Sequence, residues 1–295
     1  MQILTTQNGN IVPSIGLGTA GLKENSFDEA IKEGYRLIDT SDDYANESFI
    51  GSHLQNIYKH GHVLREDLFL QTKISDNASV LNEPLTGVYF WKSSPFMSRH
   101  SVEEVIREKI QLSKRRLVTD YLDSVLLHFP YPDFFVEIWD VLSRIKNEEN
   151  IRYIGVSNFS VRHFETLKKN GLPVPEINQT YFSPIGTRQE ICDYCNKYKI
   201  VLMTYSPLMD YHSKRLEYPV FNDLEKKYNK TKSQIILRWN IERGSIPCPK
   251  SNHRDRLREN LGALDFELSK EDVERLSSLN IDYQYLPESK YCPGI

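Results

Sequence analysis

Cysteine is scarce in this chain, with four in 295 residues. That excludes a disulfide-stapled secreted scaffold and points to a reducing compartment, the cytoplasm. Cys192 and Cys195 form a C-x-x-C, but no second pair and no paired histidines complete a zinc site, so no metal is expected. The two fall in a helical pattern, where half-buried thiols are the simpler reading. Long apolar runs are missing too: none approaches the roughly 20 residues that span a bilayer. The start, MQILTTQNGN, has neither a basic n-region nor an apolar h-region, so a secretory signal is not expected. Cys292, Pro293, Gly294 and Ile295 imitate a prenylation box only in outline, because its middle positions should be aliphatic. Nor is there an excess of base. A formal net charge of −3 argues against a nucleic-acid footprint, and the run Lys114-Arg115-Arg116 reads as a solvated helix end. With no internal repeat and no low-complexity linker, the chain reads as a single domain, 1–295.

What is present is alternation. A hydrophobic content of 39% suffices for a sizeable core. Short apolar runs predict strands over 15–19, 37–41, 68–74, 122–128, 153–158, 176–181, 201–206 and 245–250. Helical patterns separate them at 26–34, 46–60, 101–116, 134–147, 160–170, 187–197, 231–242 and 253–263. Strict alternation implies parallel strands with crossover helices. Eight such units in about 250 residues fit an α/β fold of the closed (β/α)₈ TIM barrel type better than an open sheet. Ser101-x-x-Glu104 forms a capping-box pattern, and Thr231 and Ser233 stand ready to cap a helix. Residues 5–12 read as an N-terminal β-hairpin with Asn8-Gly9 as its turn. Ser269 starts an extra C-terminal helix, followed by a tail from about 281. An insertion over about 75–100 is rich in turn formers and aromatics, among them Tyr89, Phe90 and Trp91, and long loops in compact domains are often functional.

One stretch points elsewhere. Gly16 to Gly21 reads GLGTAG, which matches the G-x-G-x-x-G fingerprint of Rossmann units, and Asp39 lies about 20 residues on, where that fingerprint places an acid. The barrel reading makes GLGT the first strand and its exit, and Gly21 a chance completion. In a barrel the site lies at the carboxyl ends of the strands. There the chain offers Asp39 after strand 2 with Tyr44 beyond it, Lys73 at the end of strand 3, and His128 at the end of strand 4. Together these four suit proton transfer. Lys73 next to Tyr44 would lower the phenol's pKa, Asp39 would pair with Lys73, and His128 would hydrogen-bond a carbonyl oxygen. Tyr44 would serve as general acid, with a hydride supplied by a cofactor.

The motifs IDTSDDYANE (38–47), QTK (71–73), LLH (126–128), IRYIGVSNF (151–159), NQ (178–179), TYSPL (204–208) and PKSNHRDRLREN (249–260) resemble those of the aldo-keto reductase family in order and spacing. The resemblance runs from about residue 5 to 280. It implies a barrel enzyme that binds NADPH without a Rossmann fold, with Asp39, Tyr44, Lys73 and His128 as its catalytic tetrad. By the same resemblance Ser157, Asn158 and Gln179 hold the nicotinamide carboxamide and Tyr205 stacks on the ring. Ser206 and Leu208 meet the pyrophosphate, Lys250, Ser251 and Arg256 clamp the 2′-phosphate, and Glu259 and Asn260 meet the adenine. Thr19 and Asp39 also border the cofactor. A basic pair is what a 2′-phosphate requires, so NADPH is expected over NADH.

Two family tryptophans are missing: Ala20 follows GLGT, and Phe129 follows His128. The pocket is therefore expected to be reshaped, with Ala20 and Phe129 lining it; Tyr89, Phe90 or Trp91 would serve as a wall or lid, the alternative being that the insertion is a surface loop remote from substrate. The expected partner is a small carbonyl or alcohol substrate, with neither nucleic acid nor membrane; nothing in the sequence sets an oligomeric partner. The competing reading is a regulatory or structural protein on the same barrel that binds the cofactor with negligible turnover.

Overall fold

Strands buried on both faces carry no period-two signal, and here the strands are of that kind. In the computed structural model, which describes residues 4–5, 8–61, 63–75, 101–131 and 134–285, β3 (Phe69–Ile74) and β4 (Leu122–Leu127) are buried at every position. Parallel strands covered by helices outside and side chains inside behave this way. The remaining strands are β1 (Leu17–Gly18), β2 (Leu37–Asp39), β5 (Ile151–Ser157), β6 (Ile177–Tyr181), β7 (Val201–Tyr205) and β8 (Ser245–Cys248). They form an 8-stranded sheet in sequential order, each strand parallel to the next. The amides of Gly16 and Gly18 donate to the carbonyls of Pro247 and Pro249 at 2.9 and 3.0 Å, which joins the last strand to the first. Pro247 and Pro249 have no N–H to give back, so the seam is bonded in one direction only. The fold is the (β/α)₈ barrel that the alternation implied.

The seam also explains the glycines of GLGTAG. A Cβ on Gly18 would sit 2.6 Å from the Cys248 carbonyl oxygen, and one on Gly16 would sit 2.5 Å from Leu37 Cδ2 and 2.9 Å from Cys248 Sγ. Close approach of β1 to its neighbours fixes both residues, and Gly21 stands in open space at φ +66°.

Around the barrel lie α1 (Glu24–Glu33), α2 (Glu47–Lys59), α3 (Val102–Leu117), α4 (Phe135–Ile145), α5 (Val161–Lys169), α6 (Gln189–Tyr198), α7 (Met209–His212), α8 (Pro219–Tyr228), α9 (Lys232–Glu242), α10 (Arg254–Leu261) and α11 (Lys270–Ser277). Ser101 and Thr231 cap α3 and α9 through reciprocal boxes with Glu104 and Gln234, and Ser269 caps α11 by accepting from the Asp272 amide. Each cap stabilises its helix by about 1 kcal/mol. Helix α8 and the short α7 were missed by the sequence reading. Helix α8 buries only Phe221 and Leu224, too few for a periodic stripe, and the available signal was Pro219 at its first position.

Among the described residues the expected hairpin shows as an antiparallel bridge, Thr5 to Ile11, with the Val12 amide donating to Leu4. Leu4 and Val12 pack with Leu37, Phe69, Val201 and the rest of the barrel interior, residues at the amino ends of their strands. The segment plugs the end of the barrel away from the catalytic face. Two further expectations need correction. Cys192 and Cys195 are fully buried in α6, and burial pushes their thiols up to about 11 and about 12. Lys114 is buried and paired with Glu149 at 3.3 Å, while Arg115 holds Glu108 and Arg116 faces Glu47. The basic run is therefore tied into the fold and not simply solvated.

Candidate functional site

The carboxyl ends of β2, β3 and β4 bring Asp39, Lys73 and His128 to one face, and a 3₁₀ turn, Asp42–Tyr44, sets Tyr44 against them. Lys73 Nζ donates to Asp39 Oδ1 at 2.6 Å and to the Thr40 carbonyl at 2.9 Å. Gln71 donates to the same Asp39 oxygen at 2.7 Å and is itself held by Ser124. The ammonium also lies 5.2 Å from the centre of the Tyr44 ring. The Tyr44 and His128 rings meet edge to face at 6.0 Å. The four groups named from the sequence therefore converge.

Their electrostatics are set by burial and by one another. Burial alone would lower the Lys73 ammonium, but the Asp39 carboxylate that accepts its hydrogen bond more than offsets it, and its pKa is raised. Lys73 stays charged. His128 is pushed down to about 3, first by burial and then by the Lys73 charge, so the imidazole is neutral near pH 7. Tyr44 departs from expectation: its pKa is raised, because burial outweighs the opposing ammonium, and Asp39 and Asp43 add to the rise. The charge of Lys73 is largely taken up by Asp39, and the phenol keeps its proton.

The residues expected to meet a nicotinamide sit on the neighbouring strands. Tyr205 donates to Asn158 Oδ1 at 2.9 Å, and Asn158 Nδ2 donates to the His128 carbonyl and to Ser157 Oγ, each at 3.1 Å. Asn158 takes φ +63° to do this. Beside Ser157 in the ladder, Gln179 is fully buried with both side-chain amide atoms lacking a protein partner. Buried amides left unmatched are costly, and a ligand carboxamide offers the complementary donor and acceptor. Thr19 turns its hydroxyl inward to the Asp39 carbonyl at 3.1 Å, and Ala20 is exposed at the exit of β1. Phe129 stacks on His128 with centroids 4.9 Å apart. Trp91 and the rest of the expected lid, residues 76–100, and the tail beyond 285 lie outside the described residues.

A cleft of about 760 Å³ opens beyond β7 and β8, lined by Ser206, Leu208, Lys250, Ser251, Arg256, Glu259 and Asn260 among others. Helix α10 carries three arginines, and their fates differ. Arg254 and Arg258, one turn apart, both pair with Glu33, at 2.8 and 2.9 Å. Arg256 points into the cleft with Lys250, and among the described residues neither meets a carboxylate. Both charges act on His212, whose pKa is lowered by burial and then by Arg256 and Lys250. Ser251 accepts from the His253 amide at 3.1 Å at the entry to α10. Glu259 is partly engaged, accepting from Thr231 at 2.5 Å. A Lys-Arg couple without a carboxylate partner among the described residues has the charge to suit an anion.

Sequence reasoning missed several groups that organise this face. Asn46 donates to the Thr19 carbonyl at 2.7 Å and accepts from Thr40 at 2.8 Å, tying β1 to β2. Asp42, buried, pairs with Lys109 at 2.9 Å and accepts from the Ser75 amide. Ser41 and Asp43 stand beside His128. Ser41, Asp42, Asp43 and Asn46 all lie in the TSDDYAN run, and that density of polar residues at a strand exit was the available signal.

Residues 14–281 match the Aldo/keto reductase family. The chain is 35% identical over 285 residues to a glyoxal reductase of Bacillus subtilis, covering 95% of this chain and 93% of that protein. It is 31% identical to a methylglyoxal reductase of Escherichia coli, covering 94% and 93%. Among solved structures, a Bombyx mori aldo-keto reductase in complex with NADP superimposes with a TM-score of 0.80 at 28% identity, covering 98% of this chain and 95% of that one.

Proposed function

Because the chain belongs to the aldo/keto reductase family of oxidoreductases, we propose that it reduces a small carbonyl compound to its alcohol with NADPH, Tyr44 delivering the proton. The observation that carries this reading is the arrangement around Tyr44: a half-buried, protonated phenol beside an ammonium that Asp39 holds at 2.6 Å. When bound, the dihydronicotinamide supplies a hydride to the carbonyl carbon. As negative charge grows on the substrate oxygen, the Tyr44 hydroxyl is the nearest general acid. As the proton leaves, the Lys73 ammonium stabilises the phenolate, an interaction stronger in the transition state than in the ground state. Asp39 keeps Lys73 charged and in place, and Gln71 and Ser124 keep Asp39 in place.

The cofactor reading rests on two features. The unpartnered amide of Gln179, with Asn158 and Ser157 beside it, suits a nicotinamide carboxamide. The uncompensated charges of Lys250 and Arg256 suit the 2′-phosphate that distinguishes NADPH from NADH. The named activities of the relatives make small α-oxo aldehydes such as glyoxal and methylglyoxal the first substrates to try.

The test is NADPH oxidation with a panel of aldehydes, ketones and keto sugars, run with wild type and Tyr44→Phe. Loss of the general acid should lower kcat by about 10²–10⁴-fold while leaving NADPH affinity unchanged. A Tyr44→Phe protein indistinguishable from wild type would replace the reductase reading with that of a cofactor-binding protein of negligible turnover.

A further inference from the structure

Helix α3 buries a stripe of side chains, and one member of that stripe carries a charge. Val105, Ile106, Ile110 and Leu117 are buried on it, and so is Lys109, with 0% of its side chain exposed. A helical repeat calls for an apolar residue there. Lys109 Nζ instead donates to Asp42 Oδ2 at 2.9 Å, and the Asp42 side chain is 1% exposed. The other Asp42 oxygen accepts from the Ser75 amide at 3.1 Å, just past the end of β3. Asp42 opens the 3₁₀ turn, Asp42–Tyr44, that presents Tyr44. So short a turn has little rigidity of its own. Its backbone is closed by the Tyr44 amide donating to the Ser41 carbonyl at 3.2 Å. Asp43 is exposed and Tyr44 half-buried, so Asp42 is the member of the turn that reaches into the protein.

Such a pair is a poor source of stability. Desolvating two charges offsets most of their attraction, and an apolar pair of similar shape often serves a fold as well. Nor does the pair supply a field to the site, since Asp42 and Lys109 act on His128 in opposite directions. What it supplies is direction. Hydrogen bonds from α3 and from the exit of β3 converge on one carboxylate and fix where the turn begins. We propose that Lys109, acting through Asp42, is a positioning residue for the proton donor, holding the turn so that the Tyr44 hydroxyl stands where the reacting oxygen receives its proton. The catalytic clause rests on the reductase reading above; the clause that the pair sets the place of Tyr44 does not.

Two double variants separate place from packing and from charge. Asp42→Leu/Lys109→Met substitutes apolar groups of similar shape and leaves no bare buried charge to unfold the protein. Asp42→Asn/Lys109→Gln keeps a hydrogen bond between the two side chains, and an acceptor for the Ser75 amide, without charge. The kinetic substrate is methylglyoxal, or whichever carbonyl of the panel is turned over fastest. The apolar pair should lower kcat by about 10–100-fold, the scale of a small misplacement of a reacting group. KM and the NADPH Kd should stay within about twofold of wild type, and the solvent isotope effect on kcat should rise as proton delivery becomes the slow step. The amide pair should keep kcat within about threefold. Place is read without turnover from the ¹³Cζ-tyrosine resonance of Tyr44, identified by its loss in Tyr44→Phe. It should move in the apolar pair and stay in the amide pair. Wild-type kcat in the apolar pair, an unchanged isotope effect, or an equal loss in KM overturns the positioning of the proton donor. An amide pair as slow as the apolar one overturns it too, by showing that charge and not place was at work. A Tyr44 resonance unmoved in the apolar pair overturns the structural clause itself. Failure of the reductase reading shows instead as no NADPH oxidation by wild type across the panel, with the resonance still moving.

Discussion

Truncating Arg256 to alanine isolates the 2′-phosphate contribution, because the side chain does almost nothing else. It is exposed on α10 and lacks a carboxylate partner among the described residues, whereas Arg254 and Arg258 anchor α10 to Glu33 on α1. Its removal therefore breaks no ion pair, and fold stability should change by less than about 0.5 kcal/mol. The loss falls on the ligand. A guanidinium hydrogen-bonded to a phosphate contributes about 1.5–3 kcal/mol, which at 1.4 kcal/mol per decade is a roughly 10–150-fold weaker Kd. Lys250 remains in the cleft, so the lower half of that range is the better expectation. NADH, without the phosphate, should bind Arg256→Ala within about twofold of wild type. Both constants come from quenching of intrinsic fluorescence at fixed ionic strength, since exposed charge pairs weaken as salt rises. Equal losses for NADPH and NADH would show that Arg256 supports the cleft generally, and an unchanged NADPH Kd would remove the phosphate from this site.

Other outcomes follow from the buried charges and the seam. Lys73→Met leaves Asp39 as an uncompensated buried carboxylate and should destabilise by about 3–5 kcal/mol; adding Asp39→Asn should recover much of this, read as denaturant midpoints. If the double variant is no more stable than Lys73→Met, the pair is not coupled as described. Gly18→Ala drives a Cβ to 2.6 Å from the Cys248 carbonyl and should cost about 1–3 kcal/mol. Gly21→Ala, in open space, meets only left-handed strain of about 1 kcal/mol, with NADPH affinity intact; a collapse of NADPH binding in Gly21→Ala would restore a phosphate role for that stretch. Titration of His128 sets a pH dependence. Its pKa is lowered to about 3 in the fold against about 6.5 unfolded, so between these values the unfolded chain binds the extra proton. Stability then falls with falling pH across that window, by up to about 1.4 kcal/mol per unit from this group. His128→Gln should flatten the slope between pH 6.5 and 4, and an identical slope would show that the imidazole is not held neutral.

The barrel was legible because its cause is local. Alternating apolar runs and amphipathic stretches are properties of neighbouring residues, and so are the caps at Ser101, Thr231 and Ser269. The helix at Pro219–Tyr228 escaped because Phe221 and Leu224 alone are buried on it. Asp39, Tyr44, Lys73 and His128 were nameable as strand-exit ionisable groups. The direction of the Tyr44 pKa was not, since burial and charge oppose each other there and only depth decides between them.

The sequence by itself determined the order of strands and helices, the residue types at the strand exits, and the pairing of Arg254 with Arg258 on one helical face, opposite Arg256. Tertiary structure decided which of those faces met Glu33 and which met the cleft, why Gly16 and Gly18 are glycines, and how close Ser41 stands to His128. The first set depends on contacts within a few residues along the chain. The second depends on separations of a few ångströms between groups as far apart in sequence as Gly18 and Pro249, or Ser41 and His128, and no local pattern encodes those distances.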